Sequence, residues 1–166
     1  MKDGTVILCK TREKQDYGNW LNRFVAYAIE YFTGYPYSHV VIYLDGKIYE
    51  STTGGAQKKD YIRDEYNGKY YYYLEPEEEL TDKQITKMLE YGENTISNNW
   101  PYNYFKLFVL AIVYPTRKFW NKIKWVPFQK DMHGTVCSVY VDRMYKSAGI
   151  DLLPNNYEEY TSPGDF

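Results

Sequence analysis

The strongest structural signal in this chain is the stretch SHVVIYLDGKIYEST, residues 38–52. Asp45-Gly46 separates two runs rich in β-branched and aromatic residues, at 38–44 and 47–52. An Asp-Gly pair between two such runs is typical of a hairpin closed by a two-residue turn. The stretch therefore predicts two antiparallel strands in which Leu44 lies opposite Lys47.

The predicted register also determines which side chains share one face of the hairpin. With Asp45 and Gly46 as the loop, Val41 lies opposite Glu50, and His39 is on the same face because it is two residues before Val41. His39 and Glu50 are then diagonal neighbours. A carboxylate there can fix the imidazole tautomer and stabilise its cation. A slip of one residue would instead place Glu50 on the opposite face.

The remainder of the chain contains further strand and helix signals. Strands are predicted at 5–9 and 69–74. Periodicity, breakers and a capping box at Thr81–Gln84 predict helices over 19–33, 81–95, 103–113 and 136–148. In the first of these helices, the spacing places Phe24 on the apolar face. Strands and helices are segregated along the chain, which favours one α+β domain over residues 1–166 rather than a doubly wound sheet.

Composition narrows the class of protein. The 166 residues are 44% hydrophobic and 25% charged, which excludes a wholly disordered chain, and the formal net charge of −2 argues against a general nucleic-acid binder. Two cysteines do not make a disulfide framework. We find neither a signal peptide nor an apolar run long enough to span a bilayer, and we therefore expect a cytoplasmic protein.

The two cysteines have different predicted surroundings. Cys137 lies at the start of a predicted helix, where the positive end of the helix dipole favours a thiolate and free backbone N–H groups can stabilise an oxyanion. Cys9 lies inside a short apolar strand, where burial would make it inert. Cys137 is therefore the candidate nucleophile.

Three simpler interpretations are compatible with the same residues. A lone histidine on a strand is more often packed or solvated than catalytic, a cysteine in an amphipathic helix is usually core, and Glu50 could face solvent. A structural zinc site formed by Cys9, His39, His133 and Cys137 is a further alternative, although Cys9 and His39 lack the close ligand spacing of common zinc modules.

Several motifs together resemble one enzyme family. Residues 37–43 and 48–52 resemble the histidine-bearing hairpin of the permuted papain-like amidases, the YiiX-like relatives of NlpC-type cell-wall peptidases. The other similar segments follow in the family's order, with the histidine strand before the cysteine helix: 3–8 (DGTVIL), 100–105 (WPYNYF), 137–152 (CSVYVDRMYKSAGIDL) and 161–165 (TSPGD).

The resemblance implies a circularly permuted papain-like (NlpC-type) domain, an antiparallel sheet with helices packed on it. It also implies a cysteine hydrolase of the thiol protease type that cleaves an amide or ester through an acyl-enzyme. Cys137 would be the nucleophile, His39 the general base and acid, and Glu50 the residue that orients His39. No metal or organic cofactor is required. The substrate would be a peptide, such as a cell-wall stem peptide, or an N-acyl or lipid compound. The alternative is a non-catalytic module on the same fold that binds a peptide or lipid.

The chain departs from the family pattern between residues 102 and 137. Within this segment, residues 115–129 mix basic with aromatic side chains, a composition that suits peripheral contact with a membrane. A helix pair that covers the sheet and exposes a basic edge would have the same composition.

Overall fold

The hairpin around Asp45-Gly46 is present in the computed structural model, which describes residues 1–10, 20–63, 65–66, 70–105, 134–153 and 162–166. Strand β2 spans His39–Leu44 and β3 spans Lys47–Thr52, with Leu44 paired to Lys47. Asp45 (φ 48°) and Gly46 (φ 73°) both adopt the left-handed conformation. Two such residues form the turn whose twist matches that of the flanking strands. The predicted register is therefore confirmed.

Three more strands extend the hairpin into a five-stranded sheet. They are β1 (Val6–Cys9), β4 (Gly55–Asp60) and β5 (Tyr71–Leu74), and the strand order is β4-β3-β2-β1-β5 with every neighbouring pair antiparallel. The first and last of these three strands were predicted. No strand was predicted at 55–60, because the polar run after Gly55 lacks the alternation of apolar and polar residues that indicates a strand. As an edge strand, β4 is held by its backbone pairing to β3.

Three α-helices lie wholly within the described residues: α1 (Trp20–Thr33), α2 (Asp82–Ser97) and α3 (Cys137–Ser147). All three were predicted. The capping box is confirmed at α2, where the Thr81 hydroxyl accepts a bond from the Gln84 amide and the Gln84 side chain accepts one from the Thr81 amide. Of the helix predicted at 103–113, only the start is described, and Tyr104 and Phe105 are helical there. Residues 115–129 lie outside the described residues.

The sheet separates two apolar clusters. Helices α2 and α3 pack on one face, where Val40, Ile42 and Leu44 of β2 are fully buried. The opposite face carries the intervening residues of the strands, among them Ile7, Val41 and Ile48, which pack with Tyr66. His39 and Glu50 are two residues from Val41 and Ile48 respectively, and they therefore lie on this second face. These features make an α+β fold with an antiparallel sheet.

Helix α1 buries only part of the face that the sequence predicted, which included both Phe24 and Ile29. Phe24 is 65% exposed, whereas Ala26, Ile29 and Thr33 are buried. The prediction for Phe24 was wrong because the small side chain of Ala26, rather than the phenyl ring, faces the rest of the molecule. In the described part of the chain, no helix is both long and apolar enough to cross a membrane.

Candidate active site

The side chains of His39 and Glu50 meet on the second face of the sheet. Nε2 of His39 donates a 2.8 Å hydrogen bond to Oε2 of Glu50. The side chain of Glu50 is only 6% exposed and that of His39 is 28% exposed. The pair forms because β2 and β3 share a two-residue turn, which makes the two residues diagonal neighbours. The predicted contact between His39 and Glu50 is therefore present.

The second carboxylate oxygen of Glu50 is held by strand β4. Nε2 of Gln57 donates a 3.0 Å hydrogen bond to Oε1 of Glu50, and Nζ of Lys59 lies 3.1 Å from the same oxygen. Burial disfavours the charge on Glu50, but the bonds and charges of His39, Lys59 and Gln57 outweigh it and lower the pKa of Glu50 to about 2. Glu50 is therefore a buried carboxylate that stays ionised. Sequence reasoning missed Gln57 and Lys59 because it missed their strand.

Cys137 is the first residue of α3, and the segment before it is tied to two other parts of the chain. Thr135 forms a parallel bridge with Tyr102, and its carbonyl accepts a 3.2 Å hydrogen bond from the Ser51 hydroxyl of β3. Val136 at the N-cap carries no side chain that can cap the helix. The predicted position of Cys137 at a helix N-terminus is confirmed, together with contacts that anchor this end of α3 to the sheet.

His39 also reaches Cys137, although α3 packs on the opposite face of the sheet. The first residue of β2 meets the first residue of α3 there, and the two side chains are close enough to interact. Burial disfavours protonation of the imidazole, but the interaction with Cys137, the hydrogen bond to Glu50 and the negative charge of both groups outweigh it. Together they raise the pKa of His39 to about 10. The structure thus brings all three predicted site residues together around one imidazole.

A cavity of about 610 Å³ opens beside this group. Its walls include His39 and Glu50, while Ala26 and Ile29 of α1 provide an apolar side. Tyr102 also lines the cavity, and burial, followed by negative charge on Cys137, raises the pKa of its phenol. The cavity is large enough for a small organic ligand or a short peptide segment.

Cys9 differs from the prediction. It is half-buried, lines the cavity, and lies directly opposite His39 in the pairing of β1 with β2. It is less enclosed than expected because it is the last residue of β1 and borders the cavity. Cys137, in contrast, is only 3% exposed and is not among the residues that line the cavity. Both thiols therefore lie close to the imidazole, and Cys9 is the more accessible.

Of the four residues suggested for a structural zinc site, the structure describes three: Cys9, His39 and Cys137. Among the residues that the structure describes, no three histidine, cysteine or acidic side chains form a group that could hold a metal ion. His133, which belonged to the suggested ligand set, lies outside those residues.

Comparison of the whole sequence with protein-family models and with curated proteins finds no match. The resemblance to the permuted papain-like amidases therefore remains a prediction from the motifs.

Proposed function

We propose that this chain is a cysteine hydrolase with a circularly permuted papain-like domain, which cleaves an amide or ester bond through a thioester intermediate. One observation carries the proposal: a single imidazole, that of His39, donates a hydrogen bond to a buried carboxylate and lies beside a thiol at a helix N-terminus. A nucleophile, a base and a group that orients the base are the parts that such a reaction needs.

In the first half of the reaction, before the attack, the proton of the Cys137 thiol has passed to His39, whose raised pKa favours the imidazolium, and the two groups form a thiolate–imidazolium pair. Because Nε2 is engaged by Glu50, Nδ1 is the ring nitrogen of His39 that remains for the sulfur. The thiolate attacks the substrate carbonyl carbon and a C–S bond forms, while backbone N–H groups at the start of α3 stabilise the oxyanion. The intermediate then collapses, the bond to the leaving amine or alcohol breaks, and the His39 imidazolium donates its proton to that group.

In the second half, His39 acts as a base again. It takes a proton from water, the resulting hydroxide attacks the thioester, and the acid is released as the Cys137 thiol is restored. Glu50 stays ionised throughout, which stabilises the imidazolium that forms in both halves. We expect the substrate to be a peptide or an N-acyl or lipid compound whose acyl part lies in the cavity.

Site-resolved alkylation tests this proposal before any substrate is known. Iodoacetamide labelling of Cys9 and Cys137 would be followed by mass spectrometry between pH 4 and 10 in the wild type, His39→Ala and Cys9→Ser. We expect Cys137 to label well below pH 8 and the His39→Ala change to slow that labelling at least tenfold. Slow labelling of Cys137 that is insensitive to His39 would overturn the proposal.

A binding module is the second candidate, and the low exposure of Cys137 favours it. A thiol that is 3% exposed and absent from the cavity walls cannot reach a carbonyl group in the cavity without movement of its surroundings. Such a protein would bind a peptide or lipid in the cavity and release it unchanged. A panel of acyl substrates separates the two functions, since a hydrolase forms product whereas a binding module shows saturable binding alone.

A further inference from the structure

Lysine side chains on β4 contact carboxylates on both faces of the sheet. Nζ of Lys58 lies 2.6 Å from Oε1 of Glu93 in α2, on the face that carries the helices. Lys59 points the other way, and its Nζ lies 3.1 Å from Oε1 of Glu50. Successive residues of a strand alternate between faces, so only Lys59 of this pair reaches the proposed active site.

Lys59 is itself held in place by Tyr66. Its ammonium lies 5.4 Å from the centre of the Tyr66 ring. The Lys59 side chain is 44% exposed, so water still reaches the charge. Partial burial disfavours this charge, but the interaction with Tyr66 and the charge of Glu50 outweigh it and raise the pKa of Lys59. Lys59 is therefore a fixed cation that links Glu50 to Tyr66.

Lys59 differs in charge from the other charged and titratable groups around Glu50. His39 contacts the carboxylate from β2, and it is a cation only when it holds a second proton. Burial raises the pKa of Tyr66, which therefore stays neutral. Cys137 lies beyond His39, and Gln57 is a neutral donor. Within this set, Lys59 is the group that carries a positive charge whatever the state of the imidazole.

We propose that Lys59 is a positioning residue of this site, which keeps the Glu50 carboxylate charged and turned towards His39. The inference rests on the proposed function, since it describes how the proposed active site keeps Glu50 ionised. A buried carboxylate costs free energy unless it is paired. If Glu50 took up a proton, it could no longer stabilise the His39 imidazolium, and the thiolate at Cys137 would lose its partner. Because Lys59 pairs with Oε1 of Glu50, Oε2 is left to accept the hydrogen bond from the imidazole.

Two readouts on one set of variants test the inference. Lys59→Met removes the charge, Lys59→Arg keeps it, and Lys58→Met makes the same change of charge on the opposite face. The Glu50 carboxyl is followed by ¹³C NMR during an acid titration, with its signal assigned by loss in Glu50→Gln. Alkylation of Cys137 is followed over the same pH range in each variant.

We expect Lys59→Met to raise the titration midpoint of Glu50 by about one pH unit or more, the effect of removing a neighbouring opposite charge. In the same variant, the acid limb of the Cys137 alkylation profile should shift to higher pH. Lys58→Met should leave both unchanged, and Lys59→Arg should restore most of the wild-type behaviour. A merely structural role for Lys59 would not shift the midpoint.

The two proposals fail in different ways. If Cys137 is reactive in the wild type but Lys59→Met leaves the Glu50 midpoint and the alkylation profile unchanged, Lys59 is not a positioning residue. If the midpoint moves as expected but Cys137 never reacts, the role of Lys59 towards Glu50 stands, while the hydrolase proposal fails.

Discussion

Oε2 of Glu50 accepts a 2.8 Å hydrogen bond from Nε2 of His39 across a two-residue turn. The same carboxylate accepts from Gln57 at its other oxygen, so neither oxygen is free to rotate away. The orientation of the His39 ring is thus set by a side chain that is itself restrained by a third strand. This arrangement makes the protonation of His39 and the charge of Glu50 depend on each other, which two experiments can measure.

Replacing Glu50 by Gln should lower the pKa of His39. Gln keeps the size of the side chain but removes the negative charge that stabilises the imidazolium, so we expect a fall of about 1–3 pH units. The ¹⁵N signals of the two histidines report this titration directly, and a His133→Asn background leaves His39 alone in the spectrum. Glu93→Gln, which changes a carboxylate paired with Lys58, is the matched control. An unchanged His39 midpoint in Glu50→Gln would contradict the prediction.

Glu50 should also make stability depend on pH in the acid range. Its pKa is lowered from 4.5 to about 2 in the folded protein, so its contribution is present above pH 4.5 and is lost as the pH falls through about 2. A shift of this size corresponds to at most about 3 kcal/mol. The wild type should therefore lose more free energy of unfolding between pH 5 and pH 2 than Glu50→Gln does.

Urea unfolding at several acid pH values measures this difference. Glu78→Gln removes an exposed carboxylate and corrects for the change of net charge. Parallel stability curves for the wild type and Glu50→Gln would show that Glu50 titrates at the same pH in the folded and unfolded chains.

The parts of the site that sequence reasoning found are those set by local rules. The loop length of the hairpin and the two-residue period of strands were sufficient to place His39 beside Glu50, and a helix start was sufficient to place Cys137 at an N-terminus. Gln57 and Lys59 were missed because an edge strand needs no apolar pattern. The only available signal was the turn before β4, in which Thr53 and Gly54 separate Thr52 from its partner Gly55.

Features that depend on distant packing could not be predicted. The exposure of Phe24 depends on what α1 packs against, because Ile29 of the same predicted face is buried. The bridge between Tyr102 and Thr135 joins residues far apart in the chain, and no local pattern encodes it. That Cys9 lines the cavity and Cys137 does not could not be predicted either, since it depends on which faces of the sheet α1 and α3 occupy.

The capping box of α2 should contribute measurably to stability. Thr81→Ala removes the hydroxyl that accepts from the Gln84 amide, and we expect a loss of about 1 kcal/mol. Thr86→Ala, at an exposed position within the same helix, is the control, because its hydroxyl bonds only the Asp82 carbonyl one turn earlier. Urea midpoints compare the two variants. Equal midpoints would mean that the box contributes nothing beyond helix propensity.

Gly134 should be required for the position of Cys137. Its φ of 105° is rare for any other residue, and a Cβ there would lie 2.5 Å from the Pro101 carbonyl oxygen. Gly134→Ala must therefore push apart the two segments that the bridge between Tyr102 and Thr135 joins. Thr135 is only two residues before Cys137, so the thiol would move as well. We expect both a loss of stability and at least a tenfold slower alkylation of Cys137.

Gly149→Ala separates the clash from the backbone strain. Gly149, just past the end of α3, also has a positive φ (79°), but no atom lies within 4 Å of the Cβ that alanine would add. This variant should lose only the strain of a left-handed residue, about 1–2 kcal/mol, and its Cys137 should label at the wild-type rate. If Gly134→Ala behaves like Gly149→Ala in both measurements, the close contact with Pro101 does not position the nucleophile.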